Sequence, residues 1–169
     1  MHSRLLVWIS ALLIGIASAQ ASALNLLQYQ HENLRSGQLE SLINHNGDIS
    51  LMMFFEPNCA WCYKQVKAFN QISTQCRQVS ITALGINGKR HQLKKDLWRL
   101  KPLFPAFIAN ASMIAKIGAI PATPITLIID KQGHYLDHLR GYISSDKVLA
   151  QLAAQHGINC EAPQVLTHG

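Results

Sequence analysis

The chain has 169 residues, of which 49% are hydrophobic and 14% charged, and its formal net charge is +6 at pH 7. This length favours one domain with a sizeable core, and so apolar a composition argues against an intrinsically disordered chain. The positive charge does not by itself indicate nucleic-acid binding, because a basic stretch such as 89–101 more often forms the solvated side of a helix.

The N-terminal segment 1–23 has the layout of a secretory signal peptide. Arg4 precedes an apolar run over 5–16, and small residues follow. We expect cleavage after Ala23 or Ala19, which predicts export and a periplasmic location. The alternative is a membrane anchor, but the apolar run is shorter than the roughly 20 residues that span a bilayer.

The rest of the chain alternates strand-like and helix-like segments. A short helix is expected over 37–43, before the turn at 45–48. Strands are predicted over 49–55, 79–86, 104–108, 125–130 and 134–139. Helices are predicted from 58 or 59 to 74 and over 89–100, 111–117 and 144–156. This order predicts an α/β fold in which helices cover both faces of a parallel sheet, with an antiparallel hairpin turning at 131–133.

Cys59 and Cys62 form a C-x-x-C pair where a strand passes into a helix. The first turn of a helix presents unpaired N–H groups and a positive dipole end, which together stabilise a thiolate. Such surroundings lower a cysteine pKa from about 8.5 to roughly 3.5–7.5. We therefore predict that Cys59 is the attacking nucleophile and that Cys62 resolves the mixed disulfide. The alternatives are a zinc half-site, for which no second ligand pair is present at short spacing, and a purely structural disulfide.

Cys76 and Cys160 bring the number of cysteines to four. An even number in an exported chain suits an oxidising compartment, where disulfides persist. Four cysteines permit more than one pairing.

The C-x-x-C pair, the later Thr123-Pro124, the hairpin and the final helix together resemble the thioredoxin fold. The second half of the chain is similar to the exported TlpA-like and ResA-like thioredoxins. That similarity rests on Phe104-Pro105, 115–118, Thr123-Pro124, 127–130, Gly133 and Gly141. The segment 55–62 is similar to the active segment of the periplasmic disulfide isomerases. In contrast to the thioredoxins that it resembles, the chain has Asn58 in place of a Trp and Met53 in place of a buried acid. In contrast to the ResA-like proteins, it has Gln65 in place of a Glu.

The resemblance covers roughly 49–155 and implies a thioredoxin-like three-layer fold. Its central mixed sheet would carry helices on both faces, and an extra strand and helix would be inserted between the active-site helix and the cis-proline strand. We expect four segments: the signal peptide 1–23, an N-terminal extension 24–48, a thioredoxin-like domain 49–156 and a C-terminal tail 157–169.

The resemblance also implies roles for residues outside the cysteine pair. Pro124 resembles the cis-proline that faces the active disulfide in the family, and the backbone of Thr123 would then hydrogen-bond a bound peptide. The helices that precede Cys76 and Cys160 lie on one face of a thioredoxin fold and run away from the active site, which implies a structural disulfide between these two cysteines.

Two further residues near the cysteine pair have both a functional and a plain interpretation. Trp61 is either an apolar landing surface for substrate peptides or a packing residue. Glu56 is either a proton relay that deprotonates Cys62 or an exposed loop carboxylate.

These observations predict an exported thiol–disulfide oxidoreductase that needs no cofactor and acts on exported cysteine-containing proteins. We expect a reductase or isomerase rather than an oxidase, supplied by a membrane electron-donor or oxidant protein and without a nucleic-acid partner. The alternative is a non-enzymatic binding module, either a metal chaperone or an assembly factor. The one hint of a metal is the pair His134 and His138, for which solvent-facing side chains are the simpler interpretation.

Overall fold

A seven-stranded mixed sheet organises the residues that this computed structural model describes, which are 24–45 and 47–160. The strands are β1 (Gln30–Asn33), β2 (Leu39–Ser41), β3 (Ile49–Phe55), β4 (Val79–Gly85), β5 (Ala106–Ile108), β6 (Ile125–Asp130) and β7 (Tyr135–Arg140). The helices are α1 (Ala60–Gln75), α2 (Arg90–Leu100), α3 (Ala111–Ile117) and α4 (Ser145–His156). Short 3₁₀ turns cover Leu26–Gln28 and Leu42–His45. The predicted α/β architecture is confirmed.

The strands lie in the order β2-β1-β5-β4-β3-β6-β7. β3 pairs in parallel with β4, which pairs in parallel with β5, whereas β6, β7, β1 and β2 join antiparallel. The sheet is therefore mixed, with β3 at its centre. Every residue of β3 is buried, because a strand that is covered on both faces needs no polar side.

Helices cover both faces of the sheet and make three layers. On one face, α1, α2 and α4 pack on the β3 side chains that include Leu51, Met53 and Phe55. On the other face, α3 and the two 3₁₀ turns pack on Met52 and Phe54. Alternate residues of β3 thus enter separate cores, as the two-residue period of a strand requires.

Helix α1 forms because its apolar residues recur at helical spacing. Cys62, Val66, Phe69 and Ile72 are all fully buried and face the sheet. The helix ends at Cys76, whose backbone is extended and whose N–H still bonds to the Ile72 carbonyl. The buried face fixes α1 against the sheet, and this position places its first turn at the end of β3.

The N-terminal segment differs from its prediction. The helix expected over 37–43 is wrong, because β2 and a 3₁₀ turn occupy these residues. The side-chain oxygen of Asn33 accepts the N–H groups of Arg35 and Ser36, and Gly37 adopts a positive φ of 78°. These contacts form a tight turn that folds β2 back onto β1, so the predicted extension adds two strands to the sheet.

Apart from β3, α3 and β6, which have the predicted bounds, each of the other predicted elements differs from its prediction by one or two residues at one or both ends. The strand expected from 104 begins at Ala106, and the hairpin strand expected over 134–139 spans Tyr135–Arg140. Gly118 ends α3 as expected, with a positive φ of 91°. The predicted signal peptide and residues 161–169 of the predicted tail lie outside the described residues. Within 24–45 and 47–160, no helix combines the length and the hydropathy that crossing a bilayer requires.

Candidate active site

The cysteine pair lies where β3 ends and α1 begins. Cys59 is the N-cap of α1, and its Sγ accepts a hydrogen bond from the N–H of Cys62 at 3.1 Å. The two cysteines form a disulfide, with their Cα atoms 5.3 Å apart. Cys59 is partly exposed, whereas Cys62 is fully buried. An incoming sulfur atom therefore reaches Cys59 first.

The local electrostatics favour a negative charge on Cys59 once the disulfide is reduced. A cysteine at the N-cap faces the unpaired N–H groups and the positive end of the helix dipole. No acidic residue occupies the first turn of α1, so no carboxylate in that turn opposes a thiolate. This arrangement can lower the pKa of a thiol and hold its reactive form near neutral pH.

Helix α2 holds the loop that leads into the cysteines. Asn58 has a positive φ of 64°, and its N–H donates to Oδ2 of Asp96 at 3.1 Å. Asp96 is only 6% exposed, and its Oδ1 lies 2.8 Å from Nη2 of Arg99. Pro57 lies so close to Gly88 that a Cβ at this glycine would meet the proline ring at 2.5 Å. The residues before Cys59 are thus fixed by contacts from a neighbouring element.

Glu56 connects this loop to the segment before β6. Its Oε1 accepts a hydrogen bond from the Thr123 hydroxyl at 2.8 Å, and its Oε2 accepts one from the Asn87 side-chain amide at 3.2 Å. Glu56 is partly buried and hydrogen-bonded on both oxygens, so it is not simply an exposed loop carboxylate. It joins the loop before the cysteines to Thr123, which precedes the cis-proline.

The peptide bond between Thr123 and Pro124 is cis, and Pro124 is buried. Pro124 and Thr123 line a groove of about 460 Å³. The groove is completed by Trp61, Arg140, Gly141 and Tyr142. The structure therefore brings Trp61, which lies between the two cysteines in sequence, to the same groove as the cis-proline.

Trp61 is an exposed aromatic residue rather than a packing residue of the core. Its side chain is 55% exposed and stacks on Tyr142, with ring centroids 6.4 Å apart. The Nζ of Lys64 lies 4.2 Å from the centroid of the Trp61 ring, which is a cation–π contact. Together, Trp61 and Tyr142 present an apolar surface to solvent beside the cysteine pair.

Gln65 fastens α1 to the loop between β7 and α4. Its side-chain amide donates to the Ile143 carbonyl at 3.2 Å and accepts from the Ile143 N–H at 2.8 Å. Gln65 is only 1% exposed, so both of its polar atoms are satisfied within the fold. A Glu at this position lacks the donor that the Ile143 carbonyl uses.

Cys76 and Cys160 lie away from this site. Their Cα atoms are 4.9 Å apart, and a disulfide joins them. Cys76 ends α1 and Cys160 follows α4, so the bond connects the ends of two helices on the same face of the sheet. It lies at the end of α1 opposite to Cys59.

His134 and His138 each contact their own neighbours and not a common centre. His134 Nδ1 lies 3.1 Å from Oδ2 of Asp130, and His138 accepts a hydrogen bond from Nε of Arg140 at Nε2. Burial alone raises the pKa of Asp130, but hydrogen bonds from the backbone and ring of His134 outweigh it and hold that pKa below its usual value. Among the described residues, no group of three or more His, Cys, Asp or Glu side chains is placed to hold a metal ion.

Several residues of the site carry no signal in the sequence. Asp96 lies 37 positions after Cys59 within a basic helix. Tyr142 follows a strand whose sequence indicates only one arm of a hairpin. Asn87 follows the strand predicted over 79–86, where the Asn-Gly pair indicates only a turn. The departure at Gln65 is the one signal that could have pointed to a local contact.

Comparison with known proteins supports the fold through structure alone. No protein-family model matches the sequence, and no curated protein matches it significantly. Among solved structures, a secreted Mycobacterium tuberculosis disulfide oxidoreductase homologous to E. coli DsbE is similar at 17% identity with a TM-score of 0.62. The match covers 76% of this chain and 97% of that chain.

Two further structures give the same result. StoA from Bacillus subtilis is 16% identical with a TM-score of 0.56, over 71% of this chain and 92% of that chain. The exposed lipoprotein thioredoxin Etrx1 from Streptococcus pneumoniae is 15% identical with a TM-score of 0.63, over 75% of this chain and 98% of that chain. This chain therefore has the thioredoxin fold, and thiol–disulfide oxidoreductases of that fold are among its structural neighbours.

Proposed function

We propose that the protein exchanges disulfides with other proteins through Cys59 and Cys62. The observation that carries the proposal is the asymmetry of the pair. Cys59 is accessible and caps the start of α1, while Cys62 is buried behind it and remains within bonding distance. A purely structural disulfide needs no accessible sulfur at a helix N-terminus.

The reaction conserves atoms and electrons in two steps. The Cys59 thiolate attacks one sulfur of a substrate disulfide, which forms a mixed disulfide and releases one substrate thiolate. The Cys62 thiolate then attacks Sγ of Cys59, which restores the Cys59–Cys62 disulfide and releases the second substrate thiolate. The substrate gains two electrons and the protein loses two. The reverse sequence oxidises a substrate dithiol.

The groove at the cis-proline is the proposed binding place for the substrate chain. Thr123 and Pro124 line it, and the Thr123 backbone is proposed to hydrogen-bond the extended peptide that carries the reacting cysteine. Trp61 and Tyr142 provide apolar contact area at low entropic cost, because their rings already stack on each other. Glu56 is proposed to accept the proton of Cys62 during resolution.

We propose that the protein works as a reductase or isomerase rather than an oxidase. A strongly oxidising pair requires extra stabilisation of the reduced thiolate. Here the spacer residues Ala60 and Trp61 carry no charge, and the hydrogen bond to Cys59 Sγ comes from the Cys62 N–H. The Nζ of Lys64 lies over the Trp61 ring. This modest stabilisation supports a pair that donates electrons.

The proposed location is the periplasm, after removal of 1–23 as a signal peptide. The layout of that segment supports export. One structural neighbour is described as secreted and another as an exposed lipoprotein. In that compartment the proposed substrates are exported cysteine-containing proteins, and a membrane protein is proposed to return the pair to its working redox state. The proposed segments of the remaining chain are an N-terminal extension over 24–48, a thioredoxin-like domain over 49–156 and a tail over 157–169.

The reduction potential of the Cys59–Cys62 pair tests this function and its direction. The protein is equilibrated with glutathione buffers, and the fraction oxidised is measured after acid quenching and alkylation. We expect a potential between about −270 mV, as in thioredoxin, and about −180 mV, as in protein disulfide isomerase. A value near about −120 mV would make it an oxidase. A pair that never equilibrates with glutathione would remove the catalytic function and leave the binding module.

A further inference from the structure

A second groove opens beside the cysteine pair, on the side of α1 that faces α2. It has a volume of about 790 Å³. It is lined by Ala60, Tyr63, Lys67, Asn70, Arg99, Leu100 and Lys101. Ala60 is the residue next to Cys59, so the groove begins at the reacting end of α1. We call it the basic groove.

The charge of the basic groove is one-sided. Three of its lining residues, Lys67, Arg99 and Lys101, are exposed cations, and no lining residue is acidic. Helix α1 contains no Asp or Glu, and the acid of α2 is the buried Asp96. Asp96 accepts the Asn58 N–H and pairs with Arg99, so it offsets the charge of one of the three cations and leaves those of Lys67 and Lys101.

The two sides of the basic groove are linked to each other. The Asn70 side chain donates to the Lys101 carbonyl at 3.0 Å and accepts from the Leu103 N–H at 2.8 Å. These two bonds fix the end of the groove that is far from Cys59. Near its other end, Tyr63 is 44% exposed, and the Nζ of Lys67 lies 5.9 Å from its ring centroid. The groove thus combines a fixed shape, one aromatic surface and three cations, of which Arg99 is paired with Asp96 and Lys67 and Lys101 are in no ion pair with a described residue.

We propose that the basic groove binds an acidic segment of the polypeptide substrate whose cysteine reacts with Cys59. The proposal rests on the proposed function and adds a substrate class to it. The groove starts one residue from the reacting sulfur, so a chain held by a mixed disulfide reaches it within a few residues, at about 3.3–3.6 Å per residue. Carboxylates complement its three cations and raise the association rate, and added salt screens this effect.

The test uses the full protein and two peptide disulfides that differ only in the residues flanking the cysteine. One peptide carries Asp and Glu there, and the other carries Lys. We expect the second-order rate constant for oxidation of the reduced protein to be at least tenfold higher for the acidic peptide at low ionic strength, and the ratio to shrink as salt is added. The rate constant with a neutral, linear small disulfide, bis(2-hydroxyethyl) disulfide, serves as the baseline for every variant.

Charge-reversal variants test whether the preference for the acidic peptide depends on the basic groove. The double variant Lys67→Glu/Lys101→Glu should lower the second-order rate constant for the acidic peptide at least tenfold and leave the rate constant for bis(2-hydroxyethyl) disulfide unchanged. The control Lys116→Glu/Lys147→Glu makes the same change in net charge on α3 and α4, outside the groove. In this control, the ratio of the rate for the acidic peptide to the rate for the basic peptide should stay within about twofold of the wild-type ratio. The twofold range allows for the effect of net charge on the electrostatic field of the whole molecule.

The outcomes separate this inference from the function on which it rests. Equal rates for the two peptides, or a preference that survives the groove reversal, would overturn the basic groove as a substrate site. Equal losses in the groove variant and in the control would assign the effect to net charge and would also overturn it. If the wild-type protein exchanged with none of the disulfides, bis(2-hydroxyethyl) disulfide included, the proposed function itself would fail.

Discussion

The two sulfur atoms of the site differ in exposure, and this difference assigns their proposed roles. Cys59 meets solvent at the helix N-terminus, where an N–H group and the dipole favour its thiolate. Cys62 is shielded, so its thiol must lose a proton inside the protein before it attacks Cys59. A thiolate is poorly solvated in such a buried position. The proposed mechanism therefore requires a proton acceptor near Cys62.

Glu56 is the carboxylate that we expect to meet this requirement. The Glu56→Gln variant removes the proton acceptor but keeps one side-chain oxygen for the Thr123 hydroxyl. It should slow resolution of the mixed disulfide at least tenfold and change the initial attack by less than twofold, since general-base catalysis contributes about 10²–10⁴. Stopped-flow exchange with a chromogenic disulfide resolves the two steps.

Thr123→Val is the matched control for Glu56. It removes the hydrogen bond between the two side chains and leaves the carboxylate in place. If resolution slowed equally in both variants, Glu56 would act by positioning the loop and not by accepting a proton. Equal rates for Glu56→Gln and the wild type would remove the residue from the mechanism altogether.

At the residue scale, the sequence identifies those site residues whose role depends on a local pattern. The C-x-x-C spacing identifies Cys59 and Cys62 because their chemistry depends on a helix start that the sequence itself predicts. Tyr142 and Asp96 could not be identified, because each reaches the site through a tertiary contact with no sequence period. Pro124 required the family resemblance, since cis bonds occur in only about 5–6% of X–Pro bonds.

Helix α1 is the element on which the site depends, because one end carries Cys59 and the other is held by a disulfide. The helix has 16 residues, which corresponds to a length of about 24 Å. Along that length, Gln65 bonds to the loop after β7, and Cys76 is joined to Cys160. These two attachments fix the axial position of α1, while Val66 and Phe69 fix its buried face.

Removing the second disulfide should affect stability and not redox chemistry. The bond joins residues 84 positions apart, for which chain entropy predicts about 4.5 kcal/mol of stabilisation. We expect Cys76→Ala/Cys160→Ala to lower the free energy of unfolding by about 2–5 kcal/mol, measured by urea denaturation. The potential of the Cys59–Cys62 pair should stay unchanged, because the bond lies at the far end of α1. A shifted potential or an unchanged unfolding curve would contradict this account.

At the element scale, prediction succeeds where a segment is either a continuous apolar run or a helix with clear cap residues. β3, α3 and β6 have the predicted bounds, because a continuous apolar run indicates a buried strand and cap residues mark the ends of a helix. β1 and β2 could not be predicted because they are short, mostly polar strands that depend on a turn built by the Asn33 side chain, with β2 at the edge of the sheet and β1 next to it. No local period distinguishes such strands from loops.

At the scale of the whole molecule, the added strands create a buried polar group in the face opposite α1. His31 of β1 is 1% exposed, and its Nδ1 accepts the Asn110 N–H at 3.1 Å. Its Nε2 has no partner among the described residues. Burial lowers the pKa of His31 from 6.5 to about 4. The folded protein therefore resists the protonation that the unfolded chain accepts below pH 6.5.

This histidine predicts a loss of stability in mild acid. Its pKa is lower in the folded state, so the unfolded chain binds the extra proton first and stability falls as pH decreases from about 6.5 to about 4. The shift corresponds to a loss of about 3 kcal/mol across that window, at 1.36 kcal/mol per pKa unit. We expect His31→Leu to show a flatter profile between pH 7 and 4 in urea denaturation, even though it loses the Asn110 hydrogen bond.

The wild-type and variant profiles must be compared as differences, because Glu40 and Asp130 also titrate in acid. A hydrogen bond from His45 lowers the pKa of Glu40, and the contacts from His134 lower that of Asp130. Both carboxylates are present in wild type and in His31→Leu, so their contribution cancels. Parallel profiles would show that His31 does not titrate differently on folding.

The most direct test of the central proposal is to trap the mixed disulfide on Cys59. The reduced Cys62→Ser variant is mixed with a peptide disulfide, and the products are measured by intact mass after acid quenching. The account predicts a stable adduct of one peptide half on Cys59, and no adduct for the Cys59→Ser variant, whose remaining thiol is buried. An adduct that forms equally well in Cys59→Ser, or in neither variant, would contradict it.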